Sequence, residues 1–151
     1  MIGDTMPHIM FSNFFLSRRK PCHAPLATVV RTNNDFRRVL HTGVNTQIVA
    51  MALPPGVDIG SETHRKVEQL LFVQSGHGVV TLNGETSPIG PGDAVAVPPG
   101  VAHNVKNTGK VALRLHTIYS PPNHIDGRVH ATRAEADADV ADEEFGKSVG
   151  G

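Results

Sequence analysis

Nine histidines and a single cysteine bound the chemistry open to this chain. One thiol, Cys22, builds neither an internal disulfide nor a thiolate zinc site, so imidazole is the obvious donor to any transition metal. The same scarcity of cysteine fits a reducing compartment, and the cytoplasm is the expected location. Spacing then singles out a few side chains. Glu62 and His64 are two residues apart, and on an extended segment alternate side chains share a face. Gln69 begins a new apolar run beyond Arg65-Lys66, and His103 follows the Pro98-Pro99-Gly100 turn. Turns gather strand ends at the mouth of a barrel, so four polar groups from three segments could meet around one point.

Short strands are needed to place them. Fifteen glycines and eleven prolines, with no tryptophan and one tyrosine, describe a turn-rich chain and disfavour a helical bundle. From Thr28 onward, short apolar runs alternate with turn residues, the pattern of an all-β sandwich or barrel. The expected strands are Gln47–Leu53, Glu62–His64, Gln69–Val73, Gly78–Leu82, Glu85–Ile89, Ala94–Val97, Ala102–Val105 and Val111–Tyr119. Asn83-Gly84 between two of them predicts a two-residue hairpin with positive φ at both positions. Residues 1–26 show no period and read as a disordered extension, residues 27–122 as the barrel, and residues 123–151 as a loop and acidic helix or tail. Thr132 and Glu135 form a capping-box pattern. The helix they open would put Ala134, Ala138, Ala141 and Phe145 on one face, with Glu143 and Glu144 at the unfavourable end of the dipole and a frayed terminus.

Two blocks carry a family resemblance. In the second, Gly92, Pro98, Gly100, His103 and Asn107 match every position of the second motif of the cupin superfamily: Gly, five residues, Pro-x-Gly, two residues, His, three residues, Asn. In the first, Gly56, His64 and Gly76 fit the first motif, but Glu62 stands where the first histidine belongs and Gln69 where the glutamate belongs. The resemblance covers about residues 40–120 and is similar to small single-domain cupins. It implies a jelly-roll β-barrel, with a short C-terminal helix added here, and one divalent transition metal held by Glu62, His64, Gln69 and His103. Two imidazoles, one carboxylate and an amide would suit Fe(II), with Mn, Ni, Co or Zn chemically reasonable. Glu68 competes with Gln69, because the family pattern also allows a gap one residue shorter.

Other features weigh against rival chemistries. Lysine plus arginine and aspartate plus glutamate both total 14, which offers no net charge to recruit nucleic acid. The longest apolar run, Ile48–Leu53, is far too short for a membrane-spanning helix. Ser75 lacks the glycine of a nucleophile elbow, and Gly76-His77-Gly78 lacks the third glycine of a dinucleotide loop. Cys22-His23 sits in a segment too irregular to organise a nucleophile. His116 falls opposite Leu113 and Leu115 and is expected to be exposed, as are His77, His124 and His130. The reading is therefore a metal-dependent enzyme acting on a small polar metabolite, as isomerase, epimerase, dioxygenase or lyase, with Glu68 or Tyr119 open as general base. The alternatives are a non-catalytic small-ligand or sensor module and a metal-free structural cupin. Family resemblance also suggests a homodimer formed through sheet edges.

Overall fold

The computed structural model describes residues 21–150. Helix α1 (Leu26–Thr32) is followed by β1 (Arg37–Thr42), β2 (Gln47–Leu53), β3 (Glu68–Ser75), β4 (Gly78–Leu82), β5 (Glu85–Ile89), β6 (Ala94–Val97), β7 (His103–Asn107), β8 (Leu113–Ser120) and β9 (Val129–His130). Two helices, α2 (Arg133–Ala138) and α3 (Val140–Gly150), end the chain. One sheet runs β6-β3-β8-β2-β1-β9 and the other β5-β4-β7, with every pairing antiparallel.

The two sheets enclose one core, whose largest fully buried members include Leu53, Leu71, Leu113, Leu115 and Tyr119. Strand β8 alternates buried and half-buried residues along its whole length, the pattern of a strand with one face inward. By contrast β2 is buried almost throughout, because α1 covers its back: Val29 and Val30 pack with Leu40 and Ala50 in a second cluster. That double burial removes the period-two signal. It also accounts for β1 and α1, which lie outside the expected strand list.

The Asn83-Gly84 hairpin has the expected geometry, with φ of 47° and 84°. Gly76 is required for a different reason. A Cβ there would lie 2.5 Å from the Ala112 carbonyl oxygen, so a side chain would push β3 off the start of β8. Asn107 ties the same end together: its amide donates to the carbonyls of Leu53 and Val111, and its oxygen accepts from the Gly109 N–H.

The C-terminal segment departs from expectation. Thr132 does cap α2, accepting from the Glu135 N–H at 3.2 Å, and Glu135 reaches back to the Ala131 N–H. The helix then breaks at Asp139, whose Oδ1 accepts from the Asp142 N–H and starts α3. The break rotates the register, so Ala134, Ala138 and Ala141 are exposed, while Ala136, Asp142, Val149 and Gly150 turn inward. It also places Asp142 and Glu143 in the first turn of α3, the favourable end of its dipole. Among the described residues no helix is long and apolar enough to cross a membrane.

Candidate metal centre

Three of the four residues singled out by spacing meet at the barrel mouth. The His64 Nε2 lies 3.3 Å from Glu62 Oε2, and the His103 Nε2 lies 4.0 Å from the same oxygen. One ligand atom from each of Glu62, His64 and His103 falls within 4.8 Å of the others. Glu62 and His64 do not stand on a full strand as expected. Residues 60–66 cross the mouth as a loop that touches β7 by a single bridge, Glu62 to His103.

Backbone bonds hold that loop. Glu62 and His103 exchange both N–H to carbonyl bonds at 2.9 Å, and the Gly100 N–H donates to the His64 carbonyl at 2.7 Å. From the other side, the Arg65 and Lys66 N–H groups donate to the Gly150 carbonyl at the end of α3. The terminal helix thus secures the segment that carries His64.

His103 faces inward in line with Val105 and Asn107, and its side chain is only 1% exposed. Its Nδ1 bonds the Val101 carbonyl at 3.0 Å, which requires Nδ1–H and leaves an Nε2 lone pair. Both His103 Nε2 and His64 Nε2 are buried without a hydrogen bond. Burial pushes the His103 pKa down, partly offset by the Val101 carbonyl and Glu62, so the neutral, ligating form is favoured. Burial pushes the Glu62 carboxyl up, but the His64 contact and the positive charge of Arg37 outweigh it and hold the group below its ordinary value.

Gln69 and Glu68 separate clearly. Gln69 is 1% exposed on the inner face of β3, level with Tyr119 of β8, whereas Glu68 is exposed. The Gln69 amide nitrogen donates to Thr117 Oγ1 at 3.0 Å, and its oxygen is buried without a partner. An amide so oriented offers an oxygen.

These donors fit a divalent ion. Atoms bound about 2.1 Å from a common centre can be at most about 4.2 Å apart, and both measured separations fall inside that limit. His103 Nε2 carries a lone pair, its tautomer set by the Val101 carbonyl, and the Glu62 carboxylate is held ionised. A second triad, His130, Asp139 and Asp142, is also close together. Its two carboxylates, however, are already engaged: His130 Nε2 and Arg128 bond Asp139 at 2.8 and 2.9 Å, and Asp142 is taken by His124 and the Ile125 N–H.

Two histidines expected at the surface are buried. His130 sits between β9 and the α2–α3 break. His124 lines the cavity beside the triad, its Nδ1 2.7 Å from Asp142 Oδ2 and its Nε2 buried without a partner. Gln47 sets that loop, donating to the His124 carbonyl and accepting from the His124 N–H. Between His124 and His64 lies Tyr119, with ring centroids 5.1 and 6.2 Å away, its hydroxyl pKa pushed up by burial and by Glu62. Only the pairing of Gln47 with Tyr119 across two sequence-remote strands shows why a loop histidine lands here. His116 is half-buried against Phe72 at 4.9 Å, on the outer face. His77 is exposed as expected. Cys22 is exposed too, with His41 Nδ1 3.6 Å from its sulfur.

A cavity of about 550 Å³ opens on Glu62 and His64. Its walls are the 59–64 loop, Arg37, Asn123, His124 and the inner sides of α2 and α3.

Comparison with known proteins agrees with this architecture. The cupin domain family matches residues 49–119. Protein YrkC of Bacillus subtilis is 39% identical over 123 residues, which span 78% of this chain and 66% of that protein. The crystal structure of BH2720 from Bacillus halodurans superposes with a TM-score of 0.78 at 36% identity, covering 80% of this chain and 96% of that one. The oxalate-binding protein of Thermotoga maritima is 35% identical over 68 residues, 45% of this chain and 56% of its own length. Together with the barrel and its two motif blocks, these likenesses establish that the chain belongs to the cupin family.

Proposed function

We propose that Glu62, His64, Gln69 and His103 bind one divalent transition-metal ion, iron, manganese, nickel, cobalt or zinc, and that the chain is a metal-dependent enzyme acting on a small polar metabolite. The observation that carries this reading is the pair of buried Nε2 atoms without hydrogen bonds beside one ionised carboxylate at the edge of a cavity. Buried polar atoms are rarely left unsatisfied without a reason, and a metal ion supplies one.

A bound ion would polarise a carbonyl or hydroxyl of the substrate, the chemistry common to isomerases, epimerases and lyases, or take part in dioxygen chemistry if redox-active. The chain's own groups would do the rest. Val101 fixes the His103 tautomer and Thr117 the Gln69 amide. His124, with Nδ1–H donated to Asp142, keeps a lone pair on Nε2 and can accept a proton from a substrate in the cavity. Glu68, open as a base from sequence, is exposed, and Tyr119 is held in its protonated form by burial.

Elemental analysis of the purified chain tests the metal directly. The expected result is one divalent ion per chain, lost in His64→Ala and His103→Ala; substoichiometric metal that is indifferent to both changes would end the reading. Turnover of a metabolite panel, abolished by a chelator and restored by one ion, tests the enzyme. The likeness to an oxalate-binding protein favours one second reading, a binding module using the same cavity without turnover. A ligand retained unchanged by metal-loaded protein would select it. We also propose a cytoplasmic homodimer paired through sheet edges; light scattering at one chain mass would refute the dimer.

A further inference from the structure

Arg37 is not among the proposed metal ligands, but it lines the same cavity. It lies at the start of β1, opposite His130 of β9, and is 8% exposed. Its Nε is buried without a hydrogen-bond partner, and among the described residues no carboxylate comes within 4.0 Å of its guanidinium. The other two cations of the cavity wall are neutralised. Arg133 is paired with Asp58 and Asp137, and Lys147 with Glu143. Phe36 offers only its ring face, 5.5 Å from the Arg37 guanidinium carbon.

A buried, unpaired charge is costly, and a guanidinium presents a planar fork that matches a two-oxygen anion. The nearby acids are already engaged. Asp142 accepts from His124 and the Ile125 N–H, and Glu62 faces the two imidazoles. Arg37 is nonetheless directed at the same space, since its positive charge is felt by Glu62, His124 and Asp142.

We propose that Arg37 binds the carboxylate of a small organic acid that enters the cavity beside Glu62 and His64. The proposal rests on the small-metabolite reading of this site and names its substrate class. A carboxylate fits better than a phosphate. One unneutralised cation balances one negative charge, and the second charge of a phosphate would face Glu62 and Asp142.

The test uses the full chain and the monocarboxylate probes acetate and lactate, with their neutral amides and inorganic phosphate. In the wild type, carboxylates at millimolar concentration should shift the Arg37 Nε–H resonance, and the amides should not. In calorimetry, Arg37→Gln should weaken carboxylate binding by at least about tenfold, the lower end for hydrogen bonds to charged groups. Arg37→Lys should recover part of that loss, and metal stoichiometry should remain that of the wild type. Normal metal content with carboxylate affinity indifferent to Arg37→Gln would overturn this inference and leave the metal site standing. Arg37-dependent carboxylate binding without any metal would do the reverse. Tighter binding of phosphate than of every carboxylate, or an Arg37 resonance that no carboxylate moves, would also overturn it, the latter without needing a folded variant.

Discussion

The floor of the barrel and its mouth are built by different physics. On the floor, Leu53, Leu71, Val105, Leu113 and Leu115 fill space with apolar volume. At the mouth, residues 123–150 are fastened by directional polar contacts: Asp142 to His124 and Ile125, Asp139 to Arg128 and His130, and the Gly150 carbonyl to Arg65 and Lys66. Apolar burial is non-directional and stabilises in proportion to area, whereas a hydrogen bond adds little net stability but fixes position. The floor therefore supplies stability and the mouth supplies placement, so each should respond to a different perturbation.

The largest effect is expected on the floor. Leu115→Ala, at a fully buried position, should lower stability by about 2–5 kcal/mol in urea unfolding, while the folded fraction keeps its metal. A comparable loss of metal would blur the division. At the mouth, Asp142→Ala leaves a buried histidine and the Ile125 N–H without acceptors and should cost about 1–3 kcal/mol. Its sharper signature should be increased proteolysis of α3, with β8 protected from hydrogen exchange as before.

Acid provides a graded version of the same comparison. Bonds from His130 and the Asp142 N–H, then the charge of Arg128, hold the Asp139 carboxyl down at about 2 against an ordinary 3.8. A carboxyl lowered on folding contributes stability that is present above its unfolded value and lost as pH falls through the folded one. Between pH 3.8 and about 2 the α2–α3 cover should therefore loosen. Hydrogen exchange resolved by segment should show α3 opening before the sheets. The smallest effect is expected at the exposed Lys147–Glu143 pair, where Lys147→Gln should leave unfolding unchanged.

The same division explains what the sequence disclosed. Strands β4 to β6 and the Asn83-Gly84 turn were legible because their signals are local: alternation, a two-residue turn, Gly and Pro punctuation. Strands β1 and β2 carry no alternation once α1 covers their back, so β1 escaped notice and β2 showed only as an apolar run. Glu62, His64 and His103 could be brought together because turn spacing and two motif blocks fix their order along the chain. His124 and Arg37 could not. Their burial depends on Gln47 holding the 123–124 loop and on α3 folding back from residue 140, contacts between segments more than 70 residues apart for Gln47. The Ala134 to Phe145 face failed because Asp139, which lies within that span, ends one helix and caps the next.

The central claim is that Glu62, His64, Gln69 and His103 share one metal ion. Anomalous diffraction from crystals of the purified chain, collected on either side of the absorption edge of the metal found by elemental analysis, tests it most directly. The account predicts a single anomalous peak bounded by the Glu62 carboxylate, the two Nε2 atoms and the Gln69 amide oxygen. Fully occupied crystals with the peak elsewhere, or water hydrogen-bonded to both Nε2 atoms in metal-supplemented crystals, would contradict it.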